Sequence, residues 1–158
     1  MEINSLVVLT SLNVHIQNQI LIQNQNLKDR IKIFSYGISN INSEMNMRSM
    51  VKHGYIQTGG STITADNVSQ NNEYKVYKGE FKIGDEILNL KRDNLAIKID
   101  VEGHEDAVLA GGERILGISG IQLAICTYHK KNDDVKYYKF FKEKNFELEY
   151  SQRHMLTN

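Results

Sequence analysis

The residues best suited to chemistry lie in one stretch, Ile97-Lys98-Ile99-Asp100-Val101-Glu102-Gly103-His104-Glu105. An apolar run from Leu95 to Asp100 passes directly into four side chains that can ionise or ligate, with one glycine among them. Such a run reads as a buried strand of a parallel sheet. Ligands in open α/β sheets bind outside the carboxyl ends of the strands. Asp100, Glu102, His104 and Glu105 are therefore expected on a rim of this kind, at the start of the next helix. Carboxylates there also interact favourably with the positive helix N-terminus. Two plainer roles compete: Glu102 or Glu105 capping the helix, and Asp100 accepting backbone N–H bonds in the turn. The four residues are also metal-ligand types. Groups so close in sequence seldom all point at one ion, however, and no metal is expected. Tyr128-His129 closes a later apolar run, which places His129 at a strand end as a further site candidate.

Secondary structure must position these groups. After the Leu95–Asp100 strand, residues 105–116 read as a helix with Val108, Leu109, Ile115 and Leu116 apolar. Gly111 and Gly112 weaken that helix by about 1 kcal/mol each relative to alanine. They make sense if the helix packs very close to a neighbour, or if it ends there and restarts. Residues 121–128 read as a second strand, 133–144 as a second helix and 146–150 as a third strand, with a fourth around Met155. Strands and helices alternating at this spacing predict βαβ units and an α/β doubly wound sheet.

The first 90 residues are less regular. Leu6, Leu9, Leu12 or Asn13, Ile16 and Ile20 recur at helical spacing, and the intervening Asn and Gln residues suit an outer helix face. Residues 30–37 (Arg30 to Gly37) suit a strand. Between residues 40 and 80 Met45, Met47 and Met50 are sparse apolar marks, and Lys75-Val76-Tyr77 suggests a short strand. Gly59-Gly60 reads as a turn rather than an anion-binding nest. Residues 82–90 suggest a short amphipathic helix.

The chain has 158 residues, enough for one domain spanning 1–158. Lys+Arg and Asp+Glu are both 19, so there is no basic excess of the kind nucleic acid binding needs. Lys136, Lys139, Lys142 and Lys144 read as a solvated helix face. The single cysteine, Cys126, rules out an intrachain disulfide and reads as a small buried hydrophobe. No run approaches the ~20 apolar residues of a membrane span. No membrane partner is expected, and the cytoplasm is the expected location.

The Ile97–Glu105 stretch, followed by Val108-Leu109 and Gly111, resembles the most distinctive motif of the FkbM-type methyltransferases. Leu123-Ala124-Ile125-Cys126-Thr127-Tyr128-His129 with Asn132-Asp133 resembles a segment near that family's end. Ile31-Lys32-Ile33-Phe34 with Gly37-Ile38-Ser39 resembles its middle strand, and Tyr150-Ser151 with Met155-Leu156 its final strands. The resemblance implies a Rossmann-like class I methyltransferase sheet, mostly parallel, and methyl transfer from S-adenosylmethionine to a hydroxyl of a small molecule or sugar. It implies Glu2 on the cofactor ribose, Gly37 and Ile38 near the adenine, and Asp100 near the methionine half. Asp100, Glu102 and His129 are the implied catalytic set. The family's first strand and glycine turn would precede Glu2, so the resemblance implies an N-terminally truncated domain. From it follow the expectations of weak cofactor binding by this chain alone and of self-association through an unpaired sheet edge. The competing expectation is a non-catalytic interaction module.

Overall fold

The computed structural model describes residues 5–10, 34–57, 61–64, 73–88 and 95–150. Its contacts divide into two compact units, residues 1–125 and 126–158.

The first unit holds two sheets. One contains β1 (Ser5–Thr10), β7 (Leu95–Asp100) and β8 (Gln122–Ile125), in the order β1-β7-β8. All its pairings are parallel, with Ser5 opposite Leu95 and Ile97 opposite Leu123. The other sheet runs β2 (Gly37–Ser39), β6 (Tyr74–Ile83), β3 (Ser43–Lys52) and β4 (Tyr55–Ile56), with β5 (Thr62–Thr64) also on β3. Here β3 is antiparallel to β4, β5 and β6, and only β2 lies parallel to β6.

This arrangement overturns the expected mostly parallel Rossmann-like sheet. The physical reason is the long β3–β6 ladder, which pairs Ser43 with Phe81 through to Met50 with Tyr74. Antiparallel strands need only a short return or a loop between them, whereas parallel ones need a crossover. The two-residue turn at His53 and Gly54, both at positive φ, sends β3 directly back into β4. Residues 6–10 correct a second expectation: they form a strand, not the start of a helix. The run Leu6-Val7-Val8-Leu9 is short and apolar, and such runs fit either element by periodicity. The strand expected over residues 30–37 starts only at Gly37 among the described residues.

The segment after β7 follows expectation more closely. Helix α2 (Glu105–Gly111) breaks at Gly112, and a single turn, α3 (Glu113–Leu116), follows before β8. Both explanations of the glycine pair hold. The helix restarts at Gly112, and a Cβ added at Gly111 would overlap the Ser39 carbonyl oxygen of β2. The core gathers Leu95, Ile97 and Ile99 of β7 with Val108, Leu109, Ile115 and Leu116. Each such side chain contributes about 1.5–3 kcal/mol by leaving water. The single turn α1 (Gly84–Ile87) is tied to α3 by Asp85, whose carboxylate accepts the N–H groups of Arg114 at 2.7 Å and Ile115 at 3.1 Å.

The second unit contains α4 (Asp133–Glu143), which buries Tyr137 and Phe141. Asp133 accepts the Lys130 N–H at 2.9 Å in the turn before it. Phe146 packs edge-on against Phe141 at 5.3 Å, but residues 146–150 form no ladder, so the expected third strand is absent from the described residues. The region around Met155 lies outside them. No helix among the described residues is long and apolar enough to cross a membrane.

Candidate functional site

The acidic stretch sits at the carboxyl end of β7, the central strand of the parallel sheet. Burial alternates along β7, so Leu95, Ile97 and Ile99 face the core. Lys98 and Asp100 share the opposite face, where the Lys98 ammonium donates to Asp100 Oδ2 at 2.8 Å. The pair is partly exposed, so it orients the carboxylate more than it stabilises the fold.

The chain then turns sharply. The His104 N–H reaches the Val101 carbonyl at 3.2 Å, across Glu102 and Gly103 at φ 52° and 93°. Two central residues at positive φ are the pattern of a type I′ turn, which glycine adopts freely and glutamate does not. Glu105 holds this turn from the helix side. Its fully buried side chain accepts the N–H groups of Val101 and Gly103, each at 3.3 Å from Oε1. Two of the turn's backbone donors thus go to Glu105. On the outer side, the Thr62 hydroxyl of β5 donates to the Glu102 carbonyl at 3.3 Å. The peptide unit joining Glu102 to Gly103 is therefore held at both of its polar ends.

His104 faces elsewhere. Its Nε2 lies 3.1 Å from Ser39 Oγ on β2, and its ring meets Phe81 edge-on at 5.7 Å. Ser39 is fully buried, so this pair joins the start of α2 to β2. Beside β5, the hydroxyls of Ser49, Ser61 and Tyr77 form a triangle with sides of 2.6, 3.0 and 3.0 Å. Ser49 and Ser61 are buried, and the triangle anchors Ser61 next to Thr62.

The expected site residues divide accordingly. Asp100 and Glu102 occupy one turn. Gly37 packs on the Phe81 ring, where an added Cβ would overlap it. Ile38 lines an apolar crevice with Gly84, Leu88, Ile97, Ile99 and Val108. Ile38 is thus on the core face of β7 and Asp100 on the other. For S-adenosylmethionine, Asp100 has suitable chemistry, since a carboxylate accepts from ammonium and hydroxyl groups. Gly37 and Ile38 are half-buried and keep exposed surface beside that packing. Glu2 lies outside the described residues, as do Gly59 and Gly60. His129 belongs to the second unit, half-buried with its ring 4.4 Å from that of Tyr128.

Thr62 and the turn-holding role of Glu105 were not foreseen. Glu105 carried a signal, an acid at the first position of a helix after a glycine turn. Thr62 carried none, because its partner is 40 residues away in sequence.

Compared with known proteins, the chain matches no family model, no curated protein and no solved structure.

Proposed function

We propose that this chain carries the acid–base rim of a cytoplasmic S-adenosylmethionine-dependent methyltransferase, acting on a hydroxyl of a small molecule or sugar, as its FkbM-like motif implies. The observation that supports this reading is the Asp100–Glu105 turn, an acidic rim at the carboxyl end of a central parallel strand, braced on both sides. S-adenosylmethionine would supply a methyl carbon that is already electrophilic. The protein must then align an acceptor oxygen and receive its proton. Asp100, oriented by Lys98, and Glu102, carried on the rigid turn, are the groups for that task.

The test is transfer of a labelled methyl from S-adenosylmethionine to a panel of hydroxylated acceptors. Asp100→Ala is expected to cut transfer by ~10²-fold, the usual effect of losing a positioned acid–base group. Equal transfer by Asp100→Ala and the parent would remove Asp100 from the reaction, and no transfer to any acceptor at a cofactor concentration high enough to fill the weak site expected of this chain would reject the reading.

A second reading, a non-catalytic interaction module, is favoured by one observation: Ile38 and Asp100, the residues expected at the two ends of the cofactor, lie on opposite faces of β7. Self-association by strand addition at a sheet edge would be its mode. Calorimetry with S-adenosylmethionine separates the two readings, since heat of binding in the micromolar range excludes the second.

A further inference from the structure

We infer that Thr62 is a positioning residue for Glu102, coupling the antiparallel sheet to the acidic rim; as a role in methyl transfer, this rests on the reading above. The argument begins with the peptide unit between Glu102 and Gly103. Its N–H is held by the buried Glu105 carboxylate and its carbonyl by the Thr62 hydroxyl, both at 3.3 Å. A glutamate at φ 52° sits in a sparsely populated region, and such a conformation persists only where its surroundings fix it. Glu105 lies within the same turn and helix. Thr62 reaches it from a strand 40 residues earlier.

Thr62 is itself well placed to serve as a fixed point. It pairs with Arg48 in the β5–β3 ladder, and its neighbour Ser61 is buried in the hydroxyl triangle with Ser49 and Tyr77. The Thr62 hydroxyl has one proton and two nearby acceptors, the Glu102 carbonyl at 3.3 Å and the Ile63 carbonyl at 3.4 Å. The bond to Ile63 stays within β5, whereas the bond to Glu102 spans the two sheets. Where that proton points therefore decides how firmly the base-bearing turn is held. A side chain that moves the Glu102 backbone by a fraction of an ångström also moves its carboxylate, and a reaction needing in-line alignment is sensitive to that displacement.

The experiment compares the full chain with Thr62→Val, which keeps the shape and removes the donor, and Thr62→Ser, which keeps the donor and removes the methyl. Two readouts need no catalysis: amide exchange at Gly103, and the carboxyl-carbon resonance of Glu102 by NMR. Thr62→Val is expected to speed Gly103 exchange roughly tenfold and to shift the Glu102 resonance, while the β3–β6 amides stay protected. Thr62→Ser is expected to restore both to parent values. Parent-like exchange and resonance in Thr62→Val would overturn the inference. So would a Thr62→Ser protein that keeps β3–β6 protection yet fails to recover them; this second arm remains decisive even if the valine variant does not fold. Where the parent transfers methyl groups, turnover is expected to fall roughly tenfold in Thr62→Val and to recover in Thr62→Ser, with little change in acceptor KM. Turnover unchanged in Thr62→Val would overturn the catalytic part of the inference. A parent that transfers nothing rejects the methyltransferase reading instead, and the NMR arms still decide the contact.

Discussion

Glu102 is an unfavourable residue for the backbone it occupies. Holding a side chain in the left-handed region costs about 1–2 kcal/mol, and glycine would avoid that cost while losing about 0.5–1 kcal/mol in chain entropy. Glu102→Gly is therefore expected to leave stability unchanged or to raise it by up to about 1.5 kcal/mol, as measured by urea unfolding. The same variant is expected to lose methyl transfer. A loss of stability well above 1 kcal/mol would show that the carboxylate serves the fold. Glu105 presents the opposite case at three residues' distance, fully buried and engaged by two backbone donors. The two glutamates look alike in sequence, and only their settings separate a side chain the fold requires from one it tolerates.

Helix α2 lies directly on β2, and Gly111 makes that approach feasible. Gly111→Ala is expected to destabilise the first unit by about 1–3 kcal/mol, because the obstruction is backbone and cannot rotate away. Gly112→Ala serves as the control. Its added Cβ would meet the Val108 carbonyl at 3.3 Å, a contact relieved by a small shift, so its thermal unfolding should stay near that of the parent. Equal effects of the two substitutions would contradict this account of the helix–strand contact. Sequence periodicity pointed to close packing or a restart at this glycine pair, since glycine inside an apolar helical pattern needs some such reason. It could not point to Ser39 as the neighbour, which is 72 positions earlier and has no apolar signature.

In the molecule as a whole, the part that was legible in the sequence is the part built by local rules. Residues 95–125 announce themselves because apolar runs and helical spacing alternate there, and β7 and β8 are parallel as that alternation predicts. The long antiparallel ladder was hidden. On β3, Met45, Met47, Ser49 and Val51 alternate at the strand period, yet Ser49 is buried through its hydroxyl partners, so hydropathy breaks the pattern at its best-packed position. The acidic rim was readable as a cluster, whereas its outer brace depended on tertiary contact. If β7 is the organising strand, with partners on both edges and Leu95, Ile97 and Ile99 in the core, its amides should be the slowest to exchange in the first unit. Slower exchange in β3 or β6 would shift the centre of stability to the antiparallel sheet.

The contact between Gly111 and Ser39 also bears on inheritance. Every missense change of a glycine codon installs a residue with a Cβ, and at position 111 any Cβ overlaps a backbone oxygen. The codon is therefore nearly closed to missense variation, while the neighbouring glycine codon, identical in its coding choices, remains open to alanine. A library of random variants selected for folding should thus show one silent-only codon beside a permissive one.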